Sequence, residues 1–64
     1  MMSMEAWENF AAERLAGRNG DAQLAWLDVL GATALLSRLY SPHYATQAVD
    51  WAVAGFHRAL DGGR

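Results

Sequence analysis

The sequence predicts an all-α protein of three helices, in which helices 2 and 3 form a long antiparallel hairpin and helix 1 packs on it. Apolar residues recur at three- and four-residue spacing in three segments, as expected for helices that bury one side. Typical helix-start residues precede these segments, and glycine or a serine–proline pair follows them. Together these signals place the helices at about residues 4–16, 22–40 and 42–60.

The first predicted helix is amphipathic and begins after Ser3, whose side chain is expected to cap it. Trp7, Phe10 and Leu15 recur on one side at helical spacing, and acidic residues take the other side. The segment 17–20, Gly-Arg-Asn-Gly, predicts a turn because asparagine and glycine tolerate positive φ angles. Helix 1 is therefore expected to lie on the surface of the fold.

The second predicted helix begins after Asp21 and is apolar nearly all round. A helical wheel places a leucine-rich side with Leu24 and Leu35 opposite a side that mixes polar and apolar residues. A helix of this kind is normally buried. One chain of 64 residues has too little other mass to bury it, so we expect a second copy of the chain to cover part of it.

The third predicted helix begins at Ser41-Pro42, a capping serine followed by proline at the first helical position, and ends at Asp61-Gly62-Gly63. Its polar stripe consists of His43, Gln47, Asp50, Ala54, His57 and Asp61. The remaining apolar arc is too wide for one contact, and we expect it to face helix 2 on one side and a second chain on the other.

The connection between helices 2 and 3 is about two residues long and therefore predicts an antiparallel hairpin. A fold-back near Ser41 would place Gly31 across from Trp51, and Gly55 across from Leu27. Since glycine inside a helix costs about 1 kcal/mol relative to alanine, we expect each glycine to receive a bulky neighbour.

Length and composition predict a single domain, residues 1–64, that acts as a homodimer. The chain is 53% hydrophobic and 19% charged, which is typical of a folded protein. Below about 70–80 residues a single core supplies only about 3–5 kcal/mol, and small domains usually need further support. The chain has no cysteine for disulfides, so pairing with a second copy is the expected support.

Charge and hydropathy limit the classes of partner. The net charge is −2 and the five basic residues are all arginines, so the many phosphate contacts of a nucleic-acid binder are not expected. The longest apolar run contains Asp28 and is too short to span a bilayer. The start lacks the layout of a signal peptide, which predicts a cytoplasmic protein. Arginine without lysine, together with many alanines, suggests a bacterial or phage source and hence, for a phage protein, the host cytoplasm.

No catalytic, cofactor or metal site is predicted, and an enzyme is not expected. His43, Asp50 and His57 share one face of helix 3, but each step of seven residues is about 10.5 Å along the axis. Zinc ligands lie about 2.0–2.3 Å from one ion, so a single chain cannot close a site with these three residues.

Asp28 lies on the leucine-rich side of helix 2 and needs a partner there, because burial disfavours a charged carboxylate. We predict that Asp28 forms a buried ion pair or hydrogen bond. The candidate partners are Arg14, His57, Arg58 and a tryptophan N–H. Large apolar side chains are expected in the core or at the dimer seam: Trp26, Leu35, Trp51 and Phe56.

The tip of the predicted hairpin is the candidate partner-binding surface. Arginine and tyrosine on an exposed turn match the composition of protein-binding hot spots. The residues are Arg38, Tyr40, His43, Tyr44 and Gln47. Alternatively, both tyrosines pack under helix 1 and expose only their hydroxyl groups.

The leading hypothesis for function is a small homodimeric helical protein that binds another protein and inhibits or redirects it. Its size and composition are compatible with phage-encoded inhibitors, or anti-activators, of a host regulator. One alternative is a helix-turn-helix DNA-binding regulator, with His43, Thr46 and Gln47 near the start of helix 3 as base readers. Another is a small structural subunit of a larger complex.

Overall fold

The computed structural model describes residues 2–62, which form three α-helices and two short connections. The helices are α1 (Met4–Gly17), α2 (Ala22–Leu39) and α3 (Pro42–Gly62), and they pack together without any β-strand in the described range. The all-α class and the three predicted helices are confirmed, with each end within two residues of the predicted position. Gly63, the last residue of the predicted stop, lies outside the described residues.

Each helix begins at the capping side chain that the sequence predicts. Ser3, Asp21 and Ser41 each accept a hydrogen bond from the backbone N–H three residues later, at 3.2, 3.2 and 3.1 Å. These bonds satisfy N–H groups that have no partner inside the helix. The connection after α1 contains the two positive φ angles of the described chain, 57° at Asn19 and 81° at Gly20. Local sequence signals thus determine where every helix begins.

The core lies where one side of each helix meets the other two. Alanine and glycine occupy many of the buried positions, so the helices approach closely. The buried residues are Trp7, Ala11 and Leu15 of α1, Ala25, Val29 and Thr33 of α2, and Tyr44, Ala45, Ala48, Ala52, Gly55 and Phe56 of α3. The buried hydroxyl of Thr33 donates to the carbonyl oxygen of Leu30 at 3.1 Å and is therefore satisfied.

The wide apolar arc of α3 is covered by α1 and α2 of the same chain. Within the chain α1 takes part of the place predicted for a second copy, with Glu8 contacting both Gly55 and Arg58, and contact of this arc with a second chain stays a prediction. The opposite side of α3 is exposed along the whole polar stripe from His43 to Asp61, as predicted. The helix most fully covered by its neighbours is therefore α3 and not α2.

The two helical glycines have different surroundings, and the predicted contacts of both are wrong. A Cβ atom on Gly55 would lie 2.7 Å from the Cα atom of Glu8, so the neighbour of Gly55 is the α1 backbone and not Leu27. A Cβ atom on Gly31 would meet no atom of residues 2–62 within 4 Å apart from its own helix backbone, so Trp51 is not its neighbour. A short connection sets the direction of two helices but not their rotation about their axes, and this rotation decides which residues meet.

Replacing Gly55 with alanine is expected to destabilise the fold. The added methyl would force α1 away from α3, and overpacking of this kind costs about 1–3 kcal/mol. Better helix propensity offsets about 1 kcal/mol of that cost. Thermal and urea unfolding followed by circular dichroism measure the change.

Gly17→Ala is the matched control. Its Cβ atom would meet only the Arg14 side chain, at an ordinary 3.5 Å, so the control should be at least as stable as the wild type. A Gly55→Ala protein that unfolds at the wild-type temperature would contradict the close contact between α1 and α3.

Candidate interaction surfaces

The outer face of α2 is the largest apolar feature left exposed by the three helices. Its leucines are between 38% and 71% exposed. They are Leu24, Leu27, Leu30, Leu35 and Leu39. At 100° per residue they cover about half of the helix circumference, with Gly31 near the middle. Single exposed leucines are common on protein surfaces, but a contiguous set of this width marks an interaction site.

α2 buries its narrower apolar side, which carries Ala25, Val29 and Thr33. Small side chains on this side allow close contact with α1 and α3, whereas the leucines on the other side remain largely exposed. Leu35, predicted to lie in the core or at the dimer seam, is 55% exposed and does not belong to the core of one chain. No helix between residues 2 and 62 combines the length and hydropathy needed to cross a bilayer.

The outer face could contribute substantial free energy if it were covered. The exposed fractions of its five leucines add up to about two and a half fully exposed leucine side chains. Burial of one leucine side chain is worth about 1.5–3 kcal/mol, so the face could supply about 4–8 kcal/mol. Association costs about 4–15 kcal/mol in lost freedom. Stable binding therefore requires a partner that contributes a comparable apolar surface of its own.

The other predicted core residues lie inside the fold. Phe56 is buried, and Trp26 is half-buried against it, with 5.4 Å between the ring centroids. Trp51 is also half-buried and its ring contacts Tyr44, with centroids 6.3 Å apart. The role that the structure supports for these three residues is to pack the helices of one chain together.

Asp28 forms an ion pair at the edge of the outer face. The guanidinium of Arg18 donates two hydrogen bonds to its carboxylate, both of 2.8 Å, and Arg14 Nε lies 3.5 Å from the same group. Arg14 was among the predicted partners, and Arg18 was missed because it lies in the turn after α1. The predicted burial is wrong: the Asp28 side chain remains 24% exposed, since α2 turns this side away from the core.

The ion pair shifts the titration of both partners. Its hydrogen bonds to Arg18 hold the pKa of Asp28 below the ordinary value of 3.8, against a smaller opposing effect of desolvation. The same contact raises the pKa of Arg18. Because the folded state favours charged Asp28, the pair stabilises the fold above the ordinary pKa and loses this effect as pH falls through the lowered value.

Asp28→Asn is expected to lower the urea midpoint at pH 7, because Arg18 loses its charged partner. The difference between wild type and variant should shrink as pH falls from 3.8 through the lowered pKa of Asp28, where the folded wild-type carboxylate becomes protonated as well. Urea unfolding at several pH values measures this dependence. The double variant Arg18→Gln/Asp28→Asn should lose less than the sum of the single losses, whereas additive losses would show that the two residues do not interact.

Tyr44 lies beneath α1 and is not an exposed partner contact. It is 8% exposed, and its hydroxyl accepts a hydrogen bond from Trp7 Nε1 at 2.9 Å and donates one to the Met2 carbonyl oxygen at 2.8 Å. Tyr40 is 58% exposed, and its ring meets that of Tyr44 edge-on, with centroids 6.0 Å apart. Tyr44 therefore packs under helix 1, as the alternative prediction has it, whereas Tyr40 does not.

An aromatic cleft of about 290 Å³ lies beside Tyr40. Its lining comes from all three helices and the residues before α1: Met2, Trp7, Leu36, Tyr40 and Tyr44. Arg38, His43 and Gln47 are exposed, as expected for a binding surface. The sequence did not reveal the contributions of Met2, Trp7 and Leu36, since no local pattern shows which residues of separate helices come together.

Neither metal binding nor a known relative assigns a function to these surfaces. Within residues 2–62, no three histidine, aspartate or glutamate side chains are placed to hold a metal ion. Comparisons with protein-family models, curated proteins and solved structures found no match to this chain. Its exposed surfaces are therefore interpreted from their own geometry and composition.

Tyr44→Phe is expected to lower stability by about 1–3 kcal/mol, because the buried indole N–H of Trp7 loses its hydrogen-bond partner. For a chain of this size, each kcal/mol corresponds to about 4–8 °C in Tm. Tyr40→Phe is the matched control and should melt like the wild type, because the Tyr40 ring is largely exposed. Equal melting temperatures for both variants would show that the Tyr44 hydrogen bonds contribute nothing.

Proposed function

We propose that this chain is an interaction protein: a cytoplasmic homodimer that binds another protein and thereby inhibits or redirects it. The observation that carries the proposal is the exposed outer face of α2, on which five leucines surround Gly31 with Asp28 and Arg38 among them. One surface of this kind supports pairing with a second copy. The aromatic cleft and Tyr40 then remain available for a different protein.

The proposal includes an antiparallel hairpin of α2 and α3. Its support is that the two helices share contacts at both ends. Trp26, early in α2, packs against Phe56, late in α3. Ser37, late in α2, lines one cleft together with Ala45, early in α3. In this hairpin, the end of α2 and the start of α3 form a common tip.

The tip is the proposed partner-binding surface. Tyr40 is exposed while its ring rests on Tyr44, so it presents an aromatic surface with limited freedom to move. Aromatic residues and arginine contribute most often to binding hot spots, because they bury large areas and form strong hydrogen bonds. The aromatic cleft has room for an apolar side chain, and Arg38 favours a nearby carboxylate. We propose a partner that offers both groups, with a host regulator as the leading class.

Charge pairing disfavours the DNA-binding alternative. Of the four arginines in residues 2–62, Arg14 and Arg18 contact Asp28, and Arg58 lies 3.1 Å from Glu8. Binding to phosphates would compete with these ion pairs. Arg38 forms no ion pair within residues 2–62 of its own chain, so protein recognition at the tip can use it without breaking any of these pairs.

Partner capture from a host lysate tests the proposal. Immobilised wild type should retain a protein that Arg38→Ala and Tyr40→Ala retain at least about tenfold less, as expected for hot-spot residues. His57→Ala, at the other end of the exposed stripe of α3, should capture as much as the wild type. The captured protein is then purified, and its own activity is measured with and without the chain.

Two results would contradict the proposed function. The first is equal capture by wild type, Arg38→Ala and Tyr40→Ala, which would exclude the tip as the binding surface. The second is salt-sensitive binding of double-stranded DNA in a gel-shift assay that His43→Ala and Gln47→Ala abolish, which would favour a DNA-binding protein.

A further inference from the structure

We infer that two copies of this chain pair through the outer faces of their α2 helices, antiparallel, about a two-fold axis beside Gly31. This inference rests on the proposed function, in which the chain acts as a homodimer. It adds the surface, the orientation and the residue at the centre. A second copy is the occupant to which the observations point, for four physical reasons.

Two leucines of the outer face are placed symmetrically about Gly31. In an antiparallel pair centred there, each residue meets the one equally far from Gly31 on the opposite side. Leu27 and Leu35 lie four residues before and after the centre, and both are more than half exposed. Leu27 of one copy therefore meets Leu35 of the other, twice in the dimer. A two-fold interface centred at Gly31 therefore contains this leucine–leucine contact on both sides of its axis.

Gly31 makes no close contact with another helix among residues 2–62. Glycine inside a helix is less favourable than alanine, so a glycine there needs a compensating contact. For Gly55 that contact is visible, because the α1 backbone lies directly against it. For Gly31, apart from its own helix backbone, no atom of the described residues lies within 4 Å of the Cβ position, although leucines surround it on the exposed face. A second helix crossing at this point would use the space that the missing side chain leaves.

Charge selects the antiparallel orientation. Arg38 lies seven residues after Gly31, so in the proposed pair it meets the position of Leu24 in the other copy. There it lies about one helical turn from Asp21 of that copy, whose carboxylate forms no ion pair among residues 2–62. A parallel pair would instead place the two Arg38 side chains next to each other. The helix dipoles also oppose each other favourably only in the antiparallel pair.

The available area fits a weak but specific dimer. An 18-residue helix is about 27 Å long and 10–12 Å wide, so half of its circumference offers about 500 Å². Two copies together would bury about 1,000 Å², the lower limit for a specific interface. We therefore expect a dimer that dissociates in the micromolar range and not a permanent one.

Sedimentation equilibrium between about 1 and 200 μM tests the pairing with full-length protein. The wild type should shift from monomer to dimer across this range. Leu27→Glu and Gly31→Arg should each weaken the dimer at least about tenfold. Both positions are exposed in the single chain, so circular dichroism and Tm should show that the variants remain folded. Leu60→Glu, an exposed leucine outside the face, is the matched control and should dimerise like the wild type.

A charge-pair rescue tests the orientation. In the antiparallel pair, the double variant Leu27→Glu/Leu35→Lys places opposite charges against each other across the interface. It should recover at least part of the dimer that Leu27→Glu loses. In a parallel pair each residue meets the same residue of the other copy. The double variant would then place like charges against each other and would remain monomeric.

The possible results separate the inference from the proposed function. A wild-type dimer that neither Leu27→Glu nor Gly31→Arg weakens would overturn this interface and leave the homodimer in place. A double variant without any recovery would overturn the antiparallel orientation. A wild type that stays monomeric at 200 μM would overturn the homodimer as well, although partner capture at the tip could still succeed. Loss of lysate capture in Leu27→Glu with a monomeric wild type would assign the face to a different protein.

Discussion

The close contact between α1 and α3 at Gly55 determines how the other surfaces of the protein are distributed. Because Gly55 has no side chain, the backbone of α1 at Glu8 lies directly on α3. α1 therefore covers the part of α3 that would otherwise need a second chain. α2 then packs against these two helices with its narrow side of small residues. Its broad leucine-rich side stays largely exposed, and this is the surface that the proposed dimer covers.

The two proposed binding surfaces lie on the outer face of α2 and at the tip where α2 ends, so the same helix carries both. Tyr44 links the residues before α1 to the start of α3 through hydrogen bonds to Trp7 and Met2, and Tyr40 rests on its ring. The orientation of the tip thus depends on a buried polar contact and not on the turn alone. In the inferred antiparallel dimer, the two tips point to opposite ends. Such a dimer would present its binding sites to two separate molecules or to two distant sites on one assembly.

Several features of the fold and of the site could be predicted from local sequence, and others could not. The exposure of Arg38, Tyr40, His43 and Gln47 follows from their place at a helix boundary or on a polar stripe. The burial of Tyr44 does not, because it depends on α1, which is 37 residues away at Trp7. The ion pair of Asp28 was predictable in kind but not in its main partner.

The sequence by itself determined the class of fold, the number of helices and the residue at which each begins. These properties depend on interactions within one or two turns, such as capping by Ser3, Asp21 and Ser41 and the positive φ angles of the turn. Only the tertiary structure decided which side of α2 is buried and which helix covers α3. Both depend on the rotation of each helix about its axis, which the close contact at Gly55 sets and which an apolar pattern around a whole helix leaves open.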